Sequence, residues 1–240
     1  PQSVLEKPEL PQAISAIECE VTATSRAVAV AMVELTMTAP CLPSERITVH
    51  HNGMVFTEVT SDTGSLTVTI PALTKEAVFI IAFSSGEGAV TSTIVDELDS
   101  YDRAVLQWKG DTGFQIHARE FGADYGSQGH RWAEDPGKLS AVVAGTSGVL
   151  TRHGNAASGE PLLAEVYTFP RDTTGQSGDV VLTVEAEVTA ANCGLEVEAQ
   201  SLEMQPDGSV RTRNLILPVP SCDSIGNFLV LNNLLQDMKV

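Results

Sequence analysis

Short runs in which apolar, often β-branched residues alternate with polar ones make up most of this chain. A period of two over four to eight residues is the pattern of a strand with one buried face. It predicts strands at Ile17–Ala23, Ala27–Met37, Ile47–His51, Met54–Thr60, Ser65–Ile70, Val78–Phe83 and Ala89–Val95. Further on it predicts them at Val105–Lys109, Phe114–Glu120, Leu139–Ala144, Leu162–Phe169, Val180–Val188, Gly194–Met204, Val210–Leu217 and Phe228–Leu231. Asn232–Lys239 reads as a turn or two of helix. Elsewhere no helical periodicity is sustained, so less than about a tenth of the chain is expected in helix.

The breaks between runs carry turn chemistry. Asn52-Gly53 is the signature of a two-residue hairpin, because both central residues must take positive φ. Asp62-Thr63-Gly64 and Pro206-Asp207-Gly208 read as tight turns, and Gly110-Asp111-Thr112-Gly113 as a hairpin turn joining its flanking strands. Turn signals at this spacing fit a sandwich or barrel. The texture changes across the acidic stretch Asp96-Glu97-Leu98-Asp99. The division expected is an extended tether at 1–13, carrying Pro1, Pro8 and Pro11, a β-sandwich at 14–98 and a second at 103–240.

Composition narrows the function classes. The 240 residues carry 14 basic and 31 acidic side chains, a formal charge of −17. Such a chain repels phosphate backbones and anionic lipid, so nucleic acid is not expected as a partner. No apolar run approaches the roughly 20 residues of a membrane-spanning helix. The start Pro1-Gln2-Ser3 reads as a mature end, or one left after removal of a signal peptide or anchor.

The four cysteines allow three pairings. They fall in two separated brackets, and the second member of each sits in a proline-flanked turn (Pro40-Cys41-Leu42-Pro43 and Pro218-Val219-Pro220-Ser221-Cys222). With no Cys-x-x-Cys and no Cys/His cluster, the expectation is disulfides Cys19–Cys41 and Cys193–Cys222, one per sandwich, and an oxidising compartment. No Asn-x-Ser/Thr occurs, which favours a bacterial exterior.

The segment Ile47–Leu73 resembles the transthyretin-like or carboxypeptidase-regulatory-like β-sandwich: a strand, a small polar turn, a Thr-rich strand, an Asp/Gly turn, then an apolar strand ending near proline. The resemblance implies an Ig-like or prealbumin-like module used as a spacer, stabiliser or adhesive unit, and no activity. At Pro40–Arg46 and Glu185–Ala190 the chain is similar to secreted envelope proteins of alphaproteobacteria, which implies a compartment and no chemistry.

Candidate chemistry concentrates in one stretch. Phe121–Trp132 packs three glycines, three aromatics, an Asp, a His and an Arg into a loop-like segment. Tyr125 and Trp132 could stack on a sugar or an apolar partner surface, with Asp124, His130 and Arg131 supplying directional hydrogen bonds. The competing reading is a long loop whose aromatics pack down on the sandwich. The Gly-x-Ser-x-Gly spacing of a hydrolase elbow is missing around Ser127. His50 and His51 are neighbours on a strand and point to opposite faces, so they do not share a metal, and no metal or cofactor is expected. The acidic turn at Asp96–Asp102 lacks the Ca²⁺-loop pattern and reads as a solvated linker, with calcium as the alternative.

Together these readings predict an all-β periplasmic or extracellular protein of two disulfide-pinned sandwiches. Its expected role is structural, or protein interaction or self-assembly, without enzymatic activity. One alternative is a carbohydrate-binding or adhesive module using loop 121–132. Another is a hydrolase whose site is assembled only in space.

Overall fold

A computed structural model describes residues 20–239 except Thr174, Pro206 and Gly208. The chain is all-β, 53% strand and 6% helical, and every strand pair is antiparallel. The first seven strands are β1 (Thr22–Val28), β2 (Met32–Thr38), β3 (Arg46–His51), β4 (Met54–Val59), β5 (Ser65–Pro71), β6 (Glu76–Phe83) and β7 (Gly88–Ile94). They form a three-stranded sheet, β1-β2-β5, and a four-stranded sheet, β4-β3-β6-β7. Alternation sets the faces: on β6, Ala77, Phe79, Ile81 and Phe83 are buried, while Val78 and Ile80 are exposed. His50 and His51 do point to opposite faces. His51 is buried, stacks on Phe79 and accepts the Leu73 N–H through Nε2, whereas His50 is exposed.

The remaining strands are β8 (Tyr101–Lys109), β9 (Phe114–Glu120), β10 (His130–Arg131), β11 (Val149–His153), β12 (Leu162–Pro170), β13 (Asp179–Glu187), β14 (Glu196–Met204), β15 (Val210–Pro218), β16 (Phe228–Leu231) and β17 (Met238–Lys239). One sheet runs β11-β12-β8-β14-β15 and the other β10-β9-β13-β16, with β17 also on β13. Their inner faces meet in one core containing Leu106, Trp108, Phe114, Ile116, Tyr167, Phe169, Leu182 and Val184. The Cys193–Cys222 disulfide, with Cα atoms 4.9 Å apart, ties the turn after β13 to the turn after β15. The expected Cys19–Cys41 bridge and the 1–13 tether lie outside the described residues, as do Pro206 and Gly208 of the Pro206-Asp207-Gly208 turn.

Four local expectations are corrected. Ala27–Met37 is not one strand: β1 and β2 are joined by a tight reversal in which Val30 and Ala31 take φ of 63° and 48°. Apolar side chains continue through that turn because it is buried, which erases the polar break that marks an exposed one. Leu139–Val143 is a short helix, α1, where six apolar-rich residues had suggested a strand. Short apolar runs do not separate helix from strand by periodicity. The Gly110–Gly113 turn does not close a hairpin: β8 pairs with β12 and β14, β9 with β10 and β13, so the chain changes sheets there. Finally, 232–239 holds a turn and the two-residue β17 rather than helix.

The N-terminal and C-terminal sheets share a core. Val105, Ala164, Val166 and Leu202 from the C-terminal sheets pack with Leu35, Phe56, Ile70 and Phe79. Arg103 is buried at this junction. Its guanidinium donates to the carbonyls of Ala72, Val30 (2.6 Å) and Ala31 (3.0 Å), and its Nε donates to Thr168 Oγ1 (3.2 Å). Gln107 adds a second tie, donating to Gly53 O (3.1 Å) and accepting the Val55 N–H (2.9 Å). In the acidic stretch between the two sets, Asp96 lies 3.8 Å from Lys75 and Asp102 is bound by Arg171 at 2.8 Å.

Candidate functional site

The alternation of β9 and β13 builds one face. Phe114, Ile116 and Ala118 on β9, with Val180, Leu182, Val184 and Ala186 on β13, point into the core. The intervening residues His117 and Arg119, with Thr183 and Glu185, therefore project from the opposite, outer face. In the β9–β13 register His117 sits directly across from Thr183. After β9 the chain turns through Phe121 and Gly122, both at positive φ (53° and 78°), and the loop folds back over this outer face. Phe121 anchors the turn, edge-on to Phe169 at 5.8 Å. The loop then returns as β10, which pairs with β9.

Tyr125, His130 and Trp132 of the loop converge on His117 of this face. The rings of His117, His130 and Trp132 lie near-parallel in mutual contact, with centroids 5.0, 5.4 and 5.7 Å apart. His130 Nδ1 accepts the Gly126 N–H at 2.9 Å, and its Nε2 lies 2.8 Å from His117 Nδ1. Because His130 Nδ1 is an acceptor, the neutral ring carries its proton on Nε2 and donates it to His117. The His117 proton then sits on Nε2, which lies 3.5 Å from Glu185 Oε2 without a hydrogen-bond partner. Tyr125 Oη donates to Glu185 Oε1 at 2.6 Å, and the Arg119 guanidinium stands 4.9 Å from the Tyr125 ring centroid. Burial, then the repulsion of the Arg119 cation, lowers the His117 pKa from 6.5 to about 4. Burial, then the neighbouring His117, also lowers that of His130. Burial and the Glu185 carboxylate raise that of Tyr125.

The residues read from sequence divide. Tyr125, His130 and Trp132 come together; Tyr125 is half exposed, Trp132 partly buried and His130 fully buried. Asp124 is exposed, and its backbone carbonyl receives Ser127 Oγ at 2.7 Å. Arg131 turns to the other side of the sheet, donating to Ser147 Oγ (3.0 Å) and Asp135 (2.9 Å) beside the buried Glu120. Glu120 itself accepts from Ser147, the Gly148 N–H and Tyr167 Oη, which ties it into the core. Sequence reasoning missed His117, Arg119, Thr183 and Glu185. Their signal was the polar half of the alternation on β9 and β13, which reads equally well as an ordinary solvated face.

Next to Glu185 the face continues onto β16. Val230 pairs with Glu185 and Phe228 with Glu187, and both apolar side chains are about half exposed. Elsewhere, a cleft of about 510 Å³ opens where Val55 meets Gln107, Gln200, Asn214 and Ile216. Its floor is a relay of side-chain amides: Gln107 donates to Gln200 and Gln200 to Asn214. Among the described residues no group of three or more His, Cys, Asp or Glu is placed to hold a metal ion. No helix among them is long and apolar enough to cross a membrane. In comparison with known proteins, no family model and no curated protein matches the chain.

Proposed function

We propose that this chain is a non-enzymatic interaction module of a bacterial periplasmic or extracellular assembly, and that it binds its partner through the outer face of the β10-β9-β13-β16 sheet. The observation that carries the reading is the half-exposed trio Tyr125, Val230 and Phe228 on either side of Glu185. Exposed aromatic and aliphatic side chains beside fixed polar groups match the make-up of interface centres, where aromatic anchors supply most of the energy. Here Tyr125 is held by Glu185 and Arg119 rather than free to rotate, so little ordering entropy remains to be lost on binding. The carboxylates of Glu185 and Glu187 in this strip favour a partner segment that is apolar with basic flanks.

The strand orders support an immunoglobulin-like arrangement for the first seven strands. Lettered A, B, C, C′, E, F and G, they give the sheets A-B-E and C′-C-F-G. The disulfide supports the oxidising compartment. A second reading, glycan binding, is favoured by the Tyr125 ring with a cation against it, a flat platform for a sugar face. Tyr125→Ala and Phe228→Ser separate the two. A protein partner loses affinity with either change, whereas a sugar stacked on Tyr125 is insensitive to position 228. A partner held equally by wild type and both variants would refute the assignment of this face.

A further inference from the structure

We propose that the tip of loop 121–132, residues 122–129 with the Tyr125 anchor, is released from this face by acid: adding one proton to the His117–His130 pair breaks the bond by which His130, on β10, holds the tip at Gly126. The proposal rests on the reading of the face as the interaction surface and adds its regulation.

The His117–His130 pair distributes its protons over four ring nitrogens. The contact between His130 Nε2 and His117 Nδ1, 2.8 Å apart, accommodates one proton. With none, two lone pairs face each other; with two, two N–H groups collide. In the neutral pair the second proton is on His117 Nε2, because His130 Nδ1 accepts the Gly126 N–H. A third proton has a single vacant position, His130 Nδ1. It makes no difference which ring is then written as the imidazolium, since His130 Nδ1 carries a hydrogen in both forms. That hydrogen points at the Gly126 N–H, so an attraction becomes a repulsion between two donors. Protonation and the Gly126–His130 bond that pins the tip therefore exclude each other.

The groups facing the pair set how hard the proton is to add. From β9, Arg119 opposes it; from β13, Glu185 favours it, as does Asp135 beyond β10. Tyr125 from the loop blunts Glu185 by donating to its Oε1. Glu120 and Arg131 lie on the other face. Once the loop lifts, Glu185 is free of Tyr125 and can accept from the His117 imidazolium, whose Nε2 is already 3.5 Å from Oε2. The open state thus has its own charge pair. The loop has pivots for the motion: Gly122, Gly126 and Gly129 all take positive φ, and the first two have open space around them. Release of the tip would take the Tyr125 anchor off Glu185 and uncover Arg119 and Thr183, while His130 and Trp132 stay over His117.

The test is amide hydrogen exchange on the whole chain, from pH 7.5 to 4.5, corrected for the intrinsic pH dependence of exchange. At Gly126 protection should fall by about tenfold or more between pH 7 and 5, while the β9–β13 ladder stays protected. His130→Asn places an amide oxygen near the Nδ1 position, keeps an acceptor for Gly126 and cannot titrate, so protection should persist at pH 5. His117→Asn leaves His130 able to titrate, and the loop should still release. Three results would overturn the proposal: wild-type Gly126 protected down to pH 4.5, His130→Asn releasing like wild type, or the loop and the β9–β13 ladder opening together. No ligand is present in these experiments. A loop that releases as described but binds nothing at any pH counts against the interaction reading alone.

Discussion

Single residues in this molecule carry opposite pH dependences. His51, His117 and His153 are held neutral by burial, each with its pKa lowered from 6.5 to about 4. The unfolded chain therefore binds more protons than the folded one below pH 6.5, and stability is lost as pH falls from there toward 4. Glu165 runs the other way. Burial raises its pKa from 4.5 to about 7, although Oε2 accepts the Ile116 N–H and Arg152 stands 3.4 Å from Oε1. The fold holds a proton there that the unfolded chain gives up above pH 4.5, so stability falls as pH rises through 4.5 to 7. Glu165→Gln keeps an acceptor for Ile116 and removes the ionisation. It is expected to stabilise by about 2–3 kcal/mol above pH 7 and by nothing below pH 4.5, as read from denaturant midpoints at the two pH values. Neither group was legible in the sequence. His117 looked like one of several scattered histidines, and Glu165 like one acid among 31, because burial of a polar side chain depends on what packs over it, the facing sheet for Glu165 and the returning loop for His117, and not on its own strand.

At the scale of elements, the strands were legible wherever one face meets water, since alternation then has both phases. β6 shows this, with Ala77, Phe79 and Ile81 inside and Val78 and Ile80 outside. The Asn52-Gly53 hairpin was legible for a different reason: the turn itself demands its residues, and Asn52 and Gly53 take φ of 46° and 89°. The β1–β2 reversal was not. Val30 and Ala31 at positive φ are held there by Arg103, 72 residues later along the chain from Ala31. Nothing in the local sequence announces a clamp of that kind. Arg103→Met removes the donor to the buried carbonyls of Val30 and Ala72, while that of Ala31 keeps the Ala72 N–H, and should cost about 2 kcal/mol or more, since each orphaned buried acceptor costs about 1–3. A lowered urea midpoint at unchanged slope would bear this out. The candidate loop was legible as a loop from its glycines, and three of its five named residues meet on the face. Its partners on β9 and β13 became visible only through the register.

Over the whole molecule, the change of texture near Asp96 marks where the chain passes from one pair of sheets to the other, but not how tightly they join. Val105, Ala164, Val166 and Leu202 close the core of the N-terminal sheets, and Arg103 and Gln107 bond across the junction. The expected consequence is a single cooperative thermal transition, with calorimetric and van't Hoff enthalpies equal. Two separated transitions would mean that the junction is weaker than its contacts imply. Reduction of Cys193–Cys222 should lower stability by about 3 kcal/mol through the freed unfolded chain, without dividing that transition.

Site-specific photo-crosslinking in cells that make the protein shows whether the outer face around Tyr125, Val230 and Phe228 meets a partner. A photoreactive side chain is placed at position 228 or 230, and at position 90, where Val90 is still more exposed, on the N-terminal sheets. One discrete adduct is expected from 228 and 230, none from 90, and loss of the adduct when Tyr125→Ala is added with the melting temperature nearly unchanged. An adduct from 90 with none from 228 and 230 would contradict this expectation.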